Sequence, residues 1–77
     1  MSQTINEDFR GEVIELNEDS FLMEYSANDF VLLKADASIL EELTVGDLVI
    51  VEVDGGIDES DPLQAAAKKV EVVDSAN

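Results

Sequence analysis

The run Leu48-Val49-Ile50-Val51-Glu52-Val53 is the feature that most narrows the fold. β-branched side chains crowd the preceding turn of a helix but pack well on a pleated surface, so the run predicts a strand. Gly46-Asp47 before it and Gly55-Gly56 after it are turn signals. A lone strand buries too little to be stable, so the rest of the chain must supply partners.

Four other segments do. In Phe9 to Leu16, Phe9, Gly11 and Val13 alternate with Arg10 and Glu12, and then Ile14 and Leu16 take over the apolar role. That change of phase predicts a bend or bulge, with Gly11 supplying the freedom. Asn17-Glu18-Asp19-Ser20 is a polar turn, and Phe21, Met23 and Tyr25 alternate with Leu22, Glu24 and Ser26 in a second strand. Ala27-Asn28-Asp29 is a short hairpin turn in which Asn tolerates positive φ. Phe30 to Ala35 is a third strand, apolar on both faces at Phe30-Val31-Leu32-Leu33. Ser38 and Glu41 form a capping box for a helical turn or two, with Ile39, Leu40 and Leu43 on one side. Gly55 to Pro62 is expected to be a loop. Leu63 to Val73 favours a strand on Val70-Glu71-Val72-Val73, against a helical start at Asp61-Pro62-Leu63-Gln64. The expected core includes Val13, Ile14, Leu22, Leu32, Leu43, Val49 and Val51.

The order is strand, strand, strand, short helix, strand, strand. A bent first strand pairs in both halves of a five-stranded closed barrel, and a helix between the third and fourth strands plugs one open end. The fold class is therefore mainly β: a small five-stranded antiparallel barrel, OB-like, with an SH3-like barrel as the rival. The 77 residues make one domain, with residues 1–7 and 75–77 read as flexible ends.

Charge bounds the function. Nineteen acids face four bases, Arg10, Lys34, Lys68 and Lys69, for a formal net charge of -15. Such a surface repels phosphate backbones and anionic lipid and favours basic partners, cations or a saline solvent. The apolar share of 45% argues against disorder. Without cysteine, disulfides are excluded, and no apolar run is long enough to span a bilayer. The polar, acidic Met1 to Asp8 stretch lacks the pattern of a signal peptide, so a cytoplasmic location is expected.

Three stretches resemble small bacterial OB-like domains of uncharacterised families. Leu43-Thr44-Val45-Gly46-Asp47 running into the Val-rich strand is similar to their helix–Gly-Asp–strand passage. Ala67-Lys68-Lys69-Val70-Glu71-Val72-Val73 resembles their last strand, and Gly11-Glu12-Val13-Ile14 their first. The resemblance implies a fold and carries over no site residue.

Catalytic signatures are nearly absent. Without His or Cys, imidazole acid–base work, thiol nucleophiles and the usual zinc sites are excluded, and the chain is not expected to be an enzyme or to need a cofactor. Asp54 to Asp61 is rich in oxygen ligands, but its spacing is not that of an EF-hand, and no metal site is assigned. An OB-like barrel usually binds on its second and third strands and the loops after its first and fourth. Here those loops carry Glu18 and Asp19, and Asp54, Asp58, Glu59 and Asp61, and only Lys34 on the strand pair is basic. Phe21, Tyr25 and Phe30 are expected to be mainly core, with Tyr25 the most exposed of them. Glu18, Asp19, Tyr25, Asp54, Asp58, Glu59 and Asp61 are therefore the candidate partner-binding residues. The expected role is a non-catalytic interaction module for a basic protein, in its sharpest form a nucleic-acid mimic. The alternatives are an OB-type nucleic-acid-binding domain and a structural domain acidic because of a saline, halophilic cytoplasm.

Overall fold

Five strands and one short helix follow one another: β1 (Asp8–Leu16), β2 (Ser20–Ser26), β3 (Asp29–Lys34), α1 (Ala37–Leu40), β4 (Leu48–Asp58) and β5 (Leu63–Asp74). This computed structural model describes residues 8–60 and 62–76; residues 1–7, Asp61 and Asn77 lie outside the described residues. The strands close a barrel in the order β1-β2-β3-β5-β4, with β4 returning to β1. β1 serves both halves, pairing through Asp8 to Glu12 with β4 and through Glu12 to Leu16 with β2.

The expectation of an all-antiparallel barrel is corrected. β3 and β5 pair in parallel, Val31 with Leu63 through Lys34 with Ala66, while the other seams are antiparallel. The reason is parity: strands that alternate in direction around a closed ring must be even in number, so five leave one parallel seam.

The bulge expected in β1 falls between Val13 and Glu15, at Ile14. Gly11 has a different role. A Cβ there would stand 2.0 Å from the Glu24 carbonyl oxygen and 2.9 Å from the Tyr25 Cα. Only glycine lets β1 pass so close to the backbone of β2.

The core is Val13, Phe21, Met23, Val31, Leu33, Leu43, Val49, Val51, Val53 and Ala65. Val13, Leu43, Val49 and Val51 were expected there; Ile14, Leu22 and Leu32 are half-buried instead. Ile14 sits in the bulge, which re-sets the phase so that Leu16 pairs with Phe21 and Phe21 with Leu33. Phe21, Met23, Val31 and Leu33 then face inward, and Leu22 pairs with Leu32 on the outside.

The helix starts two residues earlier than the capping box implied. Its N-cap is Asp36, with no side-chain capping bond, and α1 is a single turn. The loop expected at Gly55 to Pro62 is shorter, because β4 continues to Asp58 through an irregularity containing Gly55 at φ +81°. Leu63 to Asp74 is a strand throughout.

Candidate partner-binding surface

The register of the outer face aligns residues far apart in sequence. One row runs Glu15, Leu22, Leu32, Gln64, Asp58 across β1, β2, β3, β5 and β4. Two half-buried leucines thus lie side by side, with exposed carboxylates at both ends of the row. At about 4.8 Å per strand the row is roughly 19 Å long before curvature. A neighbouring row runs Glu12, Glu24, Phe30, and another runs Ser20, Lys34, Ala66, Asp54. Lys34 is the one base in these three rows.

This arrangement follows from local sequence. β2 and β3 carry apolar residues at successive positions, so once Phe21, Met23, Val31 and Leu33 fill the core, Leu22, Phe30 and Leu32 remain outside. Like charges directly opposite, as at Glu12 and Glu24, work against pairing. Glu24 Oε2 is also occupied by the backbone N–H of Asn28, at 3.1 Å.

The structure divides the expected site residues into groups. Glu18 and Asp19 lie exposed in the β1–β2 turn, where the Asp19 carbonyl accepts the Ala35 N–H at 3.1 Å. Asp54, Asp58 and Glu59 are exposed along the far part of β4 and just after it, and Asp61 lies outside the described residues. Tyr25 is separated from Asp19 by the length of β2, roughly 20 Å. It is half-buried and sits at a break in the β2–β3 register between Glu24 and Ser26, with its ring edge-on to Phe9 at 5.1 Å and 63°. Phe21 is buried and Phe30 half-buried. The acidic loops thus border the outer Leu22–Leu32 face on separate sides rather than meeting at one point.

Sequence reasoning missed a depression of about 240 Å³ at the hairpin. Tyr25, Asp29 and Phe30 line it from β2 and β3, with Asn28 in the turn between them, and Ser60 and Pro62 approach from the β4–β5 connection. A parallel β3–β5 seam brings that connection beside the hairpin, because β3 and β5 begin at the same level, and this closure was not legible locally.

The bases stand among acids: Arg10 lies on β1, Lys34 on β3, and Lys68 and Lys69 on β5. Lys69 pairs in register with Glu52, and Lys68 Nζ lies 3.8 Å from Glu52 Oε2. Arg10 and Glu71 flank Ile50 from opposite sides.

One acid belongs to the scaffold. Asp47 is only 2% exposed. Its Oδ2 accepts the Thr44 N–H at 2.9 Å and its Oδ1 the Ala76 N–H at 2.7 Å. Its carbonyl accepts the Val13 N–H at 2.9 Å, and the Gly46 N–H donates to the Val13 carbonyl at 2.8 Å. This one carboxylate therefore ties the turn before β4 to Ala76, just after β5.

Among the described residues, no group of three or more His, Cys, Asp or Glu side chains is placed to hold a metal ion. None of the described helices is long and apolar enough to cross a membrane. Residues 4–74 match the family described as protein of unknown function (DUF3221). No curated protein and no solved structure matches the chain.

Proposed function

Because the chain belongs to the DUF3221 family, whose description assigns no activity, we propose from its surface that it is a non-catalytic module binding a basic protein segment on the outer face of β2 and β3. We infer with this that the barrel is OB-like, a reading supported by its strand order and by the helix between β3 and β4. The observation that carries the proposal is the row Glu15, Leu22, Leu32, Gln64, Asp58. Paired leucines offer apolar area to a partner, and carboxylates on both sides select cations beside it. Electrostatic complementarity of this kind steers encounter and rejects wrong partners more than it adds raw affinity.

The same face opposes a nucleic-acid strand. A backbone-tracking groove needs bases along its length and aromatics for stacking. Here Lys34 on β3 stands against Glu24 on β2 and Glu12 and Glu15 on the adjoining β1, with Asp54 and Asp58 further round the barrel on β4.

Isothermal titration tests the proposal. A peptide alternating arginine and leucine is expected to give saturable heat that weakens as sodium chloride rises. Oligodeoxythymidylate is expected to bind no tighter than about 10⁻⁴ M at physiological salt. Tight oligonucleotide binding with an inert peptide would reverse the reading.

A further inference from the structure

We propose that the depression at the β2–β3 hairpin is a receptor for an arginine side chain of the basic partner. This rests on the reading of the outer β2–β3 face above and names the group that the face selects. Its lining brings together two aromatic residues, Tyr25 and Phe30, with Pro62, Leu63 and the acidic Asp29, beside Asn28 and Ser60. Among the described residues no base lines it; Arg10 lines a separate depression with Leu48 and Val73. Aromatic faces attract cations through their quadrupole, and a guanidinium adds planar stacking and paired N–H donors that suit a carboxylate.

The fold builds the pocket from the backbone outward. Gly11 allows β1 to press against the Glu24–Tyr25 backbone, and the register break at Tyr25 departs from the regular pleat there. Such breaks re-aim side chains. The edge-on contact with Phe9 holds one side of the Tyr25 ring. Asn28 at φ +64° makes the tight turn that sets Asp29 beside it, and the Asn28 N–H is anchored on Glu24 Oε2. The parallel seam brings Ser60 and Pro62 across to complete the wall. A chain of net charge -15 surrounds a site whose own lining holds a carboxylate and no cation, so a positively charged occupant is the complementary one.

Tyr25 is the one tyrosine, and the chain has no tryptophan, so tyrosine emission reports on this pocket directly. Nα-acetyl-arginine amide is expected to change that emission saturably, with Kd of about 1 mM, a binding free energy of about -4 kcal/mol. The neutral isostere Nα-acetyl-citrulline amide is expected to leave it unchanged. Asp29→Asn and Phe30→Leu, each checked for an intact fold by its circular dichroism melt, should weaken arginine-amide binding by roughly two- to fivefold. Equal responses to the arginine and citrulline amides, no response to either, or unchanged affinity in both variants would overturn the proposal. The arginine–leucine peptide separates the two readings. If it binds both variants as tightly as the parent and leaves Tyr25 emission unmoved, the pocket is refuted while the face stands. If it does not bind the parent at all, the reading of the face itself fails.

Discussion

Two turns of this barrel share one local grammar and have opposite roles. At Gly46-Asp47 and at Asn28-Asp29, a residue of positive φ is followed by an aspartate. Asp47 is buried and receives two backbone N–H groups, one of them 29 residues away. Asp29 is exposed, lines an open depression, and follows a turn whose anchoring bond spans only four residues. A carboxylate that accepts several backbone donors in a low-dielectric site is a structural clamp. One left at the surface with aromatic neighbours is available to a ligand. Tertiary surroundings, not the dipeptide, decide which role is taken.

The largest effect expected from this contrast is on stability. Asp47→Ala removes a buried carboxylate that accepts two part-buried backbone N–H groups and should cost roughly 3 kcal/mol in urea unfolding. Asp29→Ala should change stability by less than about 0.5 kcal/mol. Similar costs at both positions would break the comparison.

The positive-φ partners give a smaller effect. Gly46→Ala puts a Cβ at φ +100°, 3.1 Å from the Ala76 Cβ, and should cost about 1–2 kcal/mol. Asn28→Gly relieves no clash and loses no clamp, so a change under about 0.5 kcal/mol is expected. A thermal melt of each variant measures both.

Salt sharpens the contrast further. The screening length falls from about 30 Å at 0.01 M to about 3 Å at 1 M. Repulsion among the exposed acids should fade accordingly, raising the melting temperature of the parent by about 4–8 °C, equivalent to about 1 kcal/mol in a domain of this size. Sodium chloride is the titrant, since sulfate also strengthens apolar burial. The gap between the parent and Asp47→Ala should stay nearly constant across the series, because a buried carboxylate is little screened. A gap that closes with salt would place Asp47 among the surface charges.

The same contrast marks how far sequence reasoning reached. The strands, the hairpin turn at Asn28 and the short helix before β4 were legible because each rests on local pattern. The phase of β2 and β3 was not, because Phe21-Leu22-Met23 and Val31-Leu32-Leu33 are apolar at every position and give no alternation to read. The bulge at Ile14 settles that phase through the register it imposes between β1 and β2. Gly46-Asp47 was legible as a turn but not as a clamp, because one of the N–H groups that Asp47 accepts comes from Ala76. The acidic flanks of the β2–β3 face were visible as types of residue, but their alignment in rows depends on the parallel seam, which only barrel closure produces. Gly55-Gly56 announced a loop, yet pairing with β5 carries β4 past them to Asp58.

A basic ligand is expected to land on the outer face of β2 and β3 and at the hairpin between them. Amide proton–nitrogen correlation spectra of the protein, titrated with the arginine–leucine peptide at physiological salt, would locate it residue by residue. The predicted result is that the largest shifts fall on Leu22, Glu24, Tyr25, Asp29, Phe30, Leu32 and Gln64, with little change at Arg10, Leu48 and Ile50. Shifts centred on the β1–β4 seam instead, or equal movement of the same amides by oligodeoxythymidylate, would contradict it.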